Sequence, residues 1–375
     1  MNDIIRLNDL SPEKQLLLQL SDRDLQELLN PVLRQMTAEE HSFQLPESAV
    51  KRFRTLQRRE KQGFRLDEDD VRWMGYIRAM RQLDTSLPAP AAEDDRALYR
   101  RIVQLCRSRH LPEDFAAAIV PSVVSYFQGG EMRPVIFPGP PGCGKTTAAR
   151  CLADIMQLPL GLISAPRAEV GCGYQGHARA YKGSDVGEFL RLILRSKRLN
   201  NLFLIDELDK SAQQMNSHVT QQDELLNILA DRELFDNYME LSVSVRHSPV
   251  IIAVNDLEAL NKPLVDRCTV VEFRAVEPER MALILKDYAD ELYRGHYQGK
   301  LLLDRDVLTR AMEQLYAAGV TSVRQHQQLV EKGLERAYQR YLMAEQPGPV
   351  RLTEADMTPQ VERLSGKSLR RIVGF

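Results

Sequence analysis

The run Gly139, Pro140, Pro141, Gly142, Cys143, Gly144, Lys145, Thr146 and Thr147 constrains this chain more than any other stretch. It matches the phosphate-binding pattern G-x-x-x-x-G-K-[ST] at every fixed position. Its glycines let backbone N–H groups turn inward around phosphate oxygens, where a side chain would collide. The Lys145 ammonium is expected to reach the β- and γ-phosphates and the Thr146 hydroxyl to meet a Mg2+ ion. The helix starting near Lys145 turns its positive end toward the anion. The flanks read as the motif requires, with a short buried strand over residues 134–137 and a helix over 147–156. All nine residues are expected to line a site for ATP with Mg2+.

That unit sits in a stretch where short apolar runs (134–137, 202–205 and 250–254) alternate with helical patterns. The alternation predicts a three-layer α/β domain with a parallel sheet over residues 111–274. Residues 1–110 read as a charged, helical N-terminal region for partner or substrate recognition. There Ser11 and Pro12 mark a helix start, Leu16, Leu17, Leu18, Leu20, Leu25, Leu28 and Leu29 form an apolar stripe, and 84–94 reads as a proline-rich linker. Residues 275–365 read as a helical lid, with helices over 278–294, 305–318 and 322–345, a break at Pro347 and Pro349, a short strand over 350–352 and a last helix near Thr358. Residues 366–375 read as a basic tail.

Composition excludes several alternatives. With 43% hydrophobic and 27% charged residues the chain is that of a globular protein, and 375 residues suffice for two or three domains. A net charge of −2 gives no global drive toward nucleic acid or a membrane. No apolar run has the length of a membrane span, and the N-terminus lacks the basic-then-apolar pattern of a secretory signal. Cys106, Cys143, Cys151, Cys172 and Cys268 form no C-x-x-C pair, which argues against a zinc or redox motif and fits a reducing compartment, the cytoplasm.

A second constellation supplies chemistry. Four apolar residues over 202–205 run into Asp206 and Glu207, placing two carboxylates at a strand's C-terminal end, where open α/β sheets bind ligands. Asp206 is expected to hold the metal with Thr146, and Glu207 to polarise the water that attacks the γ-phosphate. Asn255, ending the apolar run 250–254, is read either as a second water-orienting group or as a cap on a strand-to-helix turn. Arg267 is read either as a finger reaching a neighbouring subunit's nucleotide or as a surface partner of Asp266 or another acid.

These pieces resemble the AAA+ ATPases, and more narrowly the ATPase module of Lon, over roughly residues 133–360. The phosphate loop resembles Lon's, and Gly176, His177, Tyr181 and Gly183 lie in a run similar to its G-H-R-R-T-Y-I-G. Asp206, Glu207, Asp209 and Lys210 match its second acidic motif and the D-K after it. Phe235, Asp236, Tyr238 and Leu241 resemble F-x-D-H-Y-L-D-V, and Asn255 with Pro263 to Arg267 resembles A-N followed by P-L-L-D-R. The resemblance implies Asn255 as a sensor, Arg267 as a finger acting in trans, and a homo-oligomeric, hexameric ring that remodels a protein substrate as a chaperone-like motor. It also implies that Tyr181 lies on a pore loop gripping extended polypeptide. The local residues leave open a partly buried tyrosine packed on a helix.

Three departures from Lon stand out. Lys182 replaces an apolar neighbour of the tyrosine, a change read either as weakening the grip on apolar chains or as favouring acidic peptide or phosphate backbone. In the lid, Thr321 occupies the place of Lon's first arginine, and Arg324, about one turn on, is the substitute candidate, or else a solvent-facing arginine. Fewer than about twenty residues follow Met357, too few for another folded domain, and Ser365, Lys367 and Ser368 lie on a tail that cannot preorganise a dyad. The expectation is an ATPase without its own protease. The alternative is a nucleic-acid-associated AAA+ loader, switch or defence component, in which Lys182 and the basic run Lys51, Arg52, Arg54, Arg58, Arg59 and Lys61 meet phosphates. The plainer reading of that run is a solvated face paired with the acids of 67–70, and Trp73, Tyr76 and Met80 read as local core or a partner contact rather than a cofactor site.

Overall fold

A computed structural model describes residues 44–87, 95–211, 220–344 and 348–366. The helix start at Ser11, the leucine stripe over 16–29, residues 88–94 of the expected linker, Pro347 and the tail beyond Gly366 lie outside these. Two compact units partition the chain: residues 1–87 with 194–200, and residues 88–193 with 201–375.

The first unit contains α1 (Glu47–Lys61) and α2 (Glu68–Met80). Helix α1 buries Ala49, Phe53 and Leu56, and α2 buries Trp73, Met74, Ile77 and Met80, each set at helical spacing. Asp67 caps α2 by accepting from the Asp70 amide. The Arg52 guanidinium lies 4.8 Å over the Trp73 ring and bonds Asp70 at 2.8 Å, while Arg81 stacks on Phe53 at 4.5 Å. Trp73 and Met80 are thus core, as read from the sequence, and the start of the expected linker is fixed: the Asp84 amide donates to Lys197 O and its carbonyl accepts from Leu199 N.

The second unit begins with α3 (Asp95–Ser108) and α4 (Glu113–Phe127). Leu98, Ile102 and Cys106 of α3 join the core of the sheet domain, so packing divides the chain near residue 87 rather than 110. Five strands follow: β1 (Val135–Pro138), β2 (Leu160–Ser164), β3 (Leu202–Asp206), β6 (Val250–Val254) and β7 (Thr269–Val270), all parallel in the spatial order β2-β3-β6-β1-β7. Between β3 and β6 lies an antiparallel hairpin, β4 (Glu233–Asp236) and β5 (Leu241–Ser244). Helices α5 (Lys145–Met156), α6 (Ala165–Val170), α7 (Glu188–Ser196), α8 (Gln221–Asp231) and α9 (Lys262–Asp266) connect the strands. Strands β1, β3 and β6 are buried over their apolar residues, as continuous runs of Val, Ile, Leu and Phe require in a sheet covered on both faces. Phe115, Phe137 and Phe273 pack together, with centroids 4.9–5.8 Å apart. Each such pair adds roughly 0.5–1.5 kcal/mol beyond area burial.

The expected lid contains α10 (Pro278–Leu292), α11 (Arg305–Ala317), α12 (Val323–Met343) and α13 (Glu354–Leu364), with β8 (Leu301–Leu302) paired to β9 (Val350–Arg351). It has its own core around Leu285, Leu315, Leu329, Val330, Leu334 and Leu352. Its elements fall within a few residues of those the periodicity predicts. Among the described residues no helix is long and apolar enough to cross a membrane.

Candidate nucleotide site

The placement of β6 between β3 and β1 builds the site. Register puts Pro138 opposite Val254 and Ala253 opposite Asp206, so three strands end level. The Gly139 amide donates to Val254 O and the Glu207 amide to Ala253 O, extending the ladder just past the strand ends. From those ends Lys145, Asp206, Glu207 and Asn255 converge on one cleft of about 420 Å3.

The loop before α5 needs its glycines. Gly142 and Gly144 adopt φ of 76° and 106°, and Gly139 packs so closely that a Cβ would lie 2.1 Å from Phe273 O. A Cβ on Gly142 would lie 2.1 Å from Ser322 Oγ, while Gly142 O accepts from Val323 N at 3.1 Å. The loop backbone therefore satisfies one of the otherwise unpaired amides opening lid helix α12.

Lys145 is buried, and its ammonium donates to Gly139 O at 2.5 Å, Pro140 O at 3.1 Å and Asn255 Oδ1 at 3.1 Å. Burial lowers its pKa, opposed by the nearby Cys143, Asp206 and Asp209. Asp206 is raised above the ordinary carboxylate value, first by burial and then by repulsion from Glu207, against the pull of Lys145 and Arg324. Glu207 stands at φ 62°, a left-handed conformation that costs a non-glycine residue on the order of 1–3 kcal/mol, and forms an ion pair with Lys210. Asp209 accepts from the amides of Asn255 at 3.1 Å and Asp256 at 3.4 Å, fixing the turn beyond β6. Asn255 thus holds a place in the site and its backbone also closes a strand-end turn.

The donor set fits a hard cation held partly by water and phosphate. Thr146 offers a hydroxyl in the first turn of α5, and Asp206 is a carboxylate whose buried negative charge a cation would offset. The glycine conformations leave room for an anion beside the α5 N-terminus, with nothing within 4 Å of a Cβ built on Gly144.

The lid supplies one sequence-predicted residue. Arg324, in the first turn of α12, lines the same cleft and acts electrostatically on Asp206. Other cleft residues were not legible in the sequence: Arg109, His110 and Leu111 between α3 and α4, and Arg280, Ile284 and Gln327 from the lid. The His110 carbonyl accepts from Arg280 Nε at 2.5 Å, and its Nε2 lies 2.8 Å from Asp287. His110 itself sits in the left-handed region, φ 52°, just before Leu111 and Pro112.

Two further residues lie apart from this cleft. Arg267, at the end of α9, is exposed and pairs with no carboxylate among the described residues, so the surface ion pair with Asp266 is not formed. Its NH1 donates to Pro263 O, while Arg133 donates from Nε to Arg267 O at 2.9 Å and from NH2 to Asp266 O at 2.5 Å. Tyr181 is 69% exposed, which rules out the packed-tyrosine reading, and Lys182 beside it is exposed as well.

A five-stranded parallel sheet, a glycine loop opening a helix and two carboxylates at the adjacent strand end together define a P-loop nucleotide-binding domain. Residues 135–275 match the family AAA, ATPase family associated with various cellular activities. Similar curated proteins are Lon proteases. Lon protease 4 of Sorangium cellulosum is 32% identical over 153 residues, 40% of this chain and 19% of that protein. Lon protease of Clostridium acetobutylicum is 30% identical over 153 residues, with the same coverage of this chain. The mouse mitochondrial Lon protease homolog is 24% identical over 332 residues, 87% of this chain and 34% of that protein. The chain thus spans between about a fifth and a third of the length of these relatives, and the resemblance falls on the ATPase module. A mutant RuvB from Thermotoga maritima overlaps 67% of this chain at TM-score 0.44 and 14% identity.

Proposed function

We propose that this chain is a Mg2+-dependent ATP-hydrolysing motor of Lon-like type that works in the cytoplasm as a homo-oligomeric ring on a protein substrate. The observation that supports it best is the convergence of Lys145, Asp206, Glu207 and Asn255 at three level strand ends, with Arg324 facing them from the lid. In this reading residues 139–147 cradle the triphosphate and Lys145 exchanges its loop carbonyls for phosphate oxygens. Thr146 and Asp206 would hold the metal, which when bound screens the phosphate charge. Glu207 and Asn255 orient water for in-line attack on the γ-phosphorus, and Glu207 receives its proton as the β–γ bridging bond breaks. Arg324 in the same subunit and Arg267 from a neighbour stabilise the charge that builds on the leaving phosphate. Tyr181 and Lys182 contact the polypeptide. Residues 1–87 choose the partner, 88–274 hydrolyse ATP and 275–365 act as the lid. No described residue is assigned to peptide-bond cleavage.

The test is Glu207→Gln. ATP should remain bound while turnover falls by a factor of about 100 or more. A wild-type rate would refute the assignment of Glu207.

A second reading is favoured by one observation. Lys51, Arg54, Arg58, Arg59 and Lys61 are exposed and make no ion pair among the described residues, whereas Arg52 pairs with Asp70. This stripe suits phosphate backbone, and ATPase stimulation by DNA or RNA that fades with salt would select the nucleic-acid-associated alternative.

A further inference from the structure

The segment carrying Tyr181 leaves the domain through a narrow neck. Gly176 and Gly187 face each other there: a Cβ on Gly187 would lie 2.1 Å from Tyr174 O and 2.5 Å from Gly176 N, and one on Gly176 would lie 2.8 Å from Gly187 N. The His177 amide donates to Asp185 O at 3.2 Å and closes the neck. Beyond it, two successive turns, Tyr181 N to Ala178 O and Ser184 N to Tyr181 O, lift the tyrosine into solvent.

The neck rests on the turn of the β4–β5 hairpin. Asp236, fully buried at the end of β4, accepts from Gly187 N at 2.8 Å with one carboxylate oxygen and from Met239 N at 2.9 Å with the other. The Asn237 amide donates to Gln175 O at 2.7 Å, and its side chain donates to Gly176 O at 3.0 Å. At the rim, Arg179 within the loop pairs with Glu240 at 3.3 Å. The two sides of the neck and the hairpin turn are therefore joined by backbone and carboxylate bonds with little slack.

The hairpin is itself tied to the strands of the nucleotide site. It follows β3 and α8 in the chain, and only residues 245–249 separate β5 from β6, whose end carries Asn255. The Val245 amide donates to Arg232 O at the start of the hairpin, and Ser248 Oγ accepts from Asn201 N just before β3.

We propose that the β4–β5 hairpin is the seat of the Tyr181 loop and that Asp236 is its positioning residue, so that hairpin and loop move as one body between the nucleotide strands and the bound polypeptide. This rests on the reading of Tyr181 as a polypeptide contact. Asp236 suits the task because an ionised carboxylate accepts on both oxygens, one toward the loop and one toward its own turn. An asparagine of the same shape has one acceptor and turns an NH2 toward an N–H, so either Gly187 or Met239 loses its partner.

The test uses the full chain with Asp236→Asn, Tyr181→Ala and the double variant, and a permanently unfolded protein as probe. Hydrogen exchange of the amides over 177–187 should quicken about tenfold or more in Asp236→Asn, as the loss of a charged acceptor predicts. The probe concentration for half-maximal ATPase stimulation should rise by about tenfold, with the maximal stimulated rate kept within about twofold. The double variant should be no worse than Tyr181→Ala, because both act through the loop. Unchanged exchange over 177–187, or additive losses in the double variant, would overturn the proposal. If Asp236→Asn unfolds, Glu240→Ala, which removes only the exposed pair with Arg179, should raise the half-stimulating concentration in the same direction, and an unchanged value would count against the seat. If Tyr181→Ala itself leaves stimulation intact, the polypeptide-contact reading fails, while the exchange result still decides whether Asp236 holds the loop.

Discussion

The Lys145 ammonium donates to Oδ1 of Asn255 at 3.1 Å, joining the first turn of α5 to the end of β6 across 110 residues of chain. The bond exists because β6 lies between the strands that carry the phosphate loop and the two carboxylates. On the proposed roles, any movement of β6 displaces both a phosphate ligand and a water-orienting amide. Asn255→Ala should lower turnover by about ten- to a hundredfold and change ATP affinity by much less, since Lys145 is still held by Gly139 O and Pro140 O before nucleotide enters and still turns to the phosphate oxygens when it does. Single-turnover hydrolysis beside equilibrium nucleotide binding measures the split. Equal losses in both would reduce Asn255 to a structural cap.

Gly142 meets Ser322 so closely that a Cβ would lie 2.1 Å from its Oγ and 3.0 Å from its Cβ, so the serine must shift to admit a methyl group. Its positive φ adds backbone strain on the order of 1–3 kcal/mol for any other residue. Gly142→Ala should weaken ATP binding by at least about tenfold and lower the thermal midpoint. Adding Ser322→Gly should recover only the steric part. Full recovery would mean that the backbone conformation does not matter.

Asp236 gives a pH dependence with a definite sign. Burial, more than repulsion from Asp185, pushes its pKa up from 3.8 to about 6, against the hydrogen bonds from Gly187, Met239 and Tyr238. A carboxyl raised in the folded state contributes stability that is complete below its unfolded pKa and is lost as pH rises through about 6. Asparagine does not titrate. The thermal midpoint of Asp236→Asn relative to wild type should therefore be more favourable at pH 8 than at pH 4.5. A difference independent of pH would show that Asp236 carries no such shift.

Much of the nucleotide site was legible because its signals are local: glycines at fixed spacing, an apolar run ending in two acids, a second ending in Asn255. The lid helices were legible from 3.6-residue periodicity. Strand β2 was not, because Pro159 precedes and Gly161 interrupts a run of only five residues and its partner, β3, is chosen by long-range pairing. The β4–β5 hairpin does alternate buried and exposed residues, but each arm is four residues long and the link from Asp236 to Gly187 spans 49 positions. His110, Arg280 and Arg133 are likewise invisible to periodicity, since their partners lie 170 and more than 130 residues away.

Arg133 bears on how Arg267 is presented. It donates to the last two carbonyls around the end of α9, groups that a helix leaves without intrahelical partners. That grip fixes the backbone from which Arg267 projects, while the Arg267 side chain keeps one bond to Pro263 O. Arg267→Ala should cut steady-state turnover by a factor of about 1,000 if it serves a neighbour's nucleotide. Arg133→Ala should cut it less, by about tenfold, with ATP affinity retained, and Arg133→Lys should recover part of the loss because one donor still reaches the carbonyls. Mixing Arg267→Ala subunits with Glu207→Gln subunits separates action in trans from action in cis. Each Glu207→Gln subunit can lend its intact arginine, and each Arg267→Ala subunit its intact glutamate, so the mixture should exceed the sum of the two separate rates. A mixture no faster than that sum would place Arg267 outside the neighbour's site, and with it the case for an ATPase centre completed between subunits.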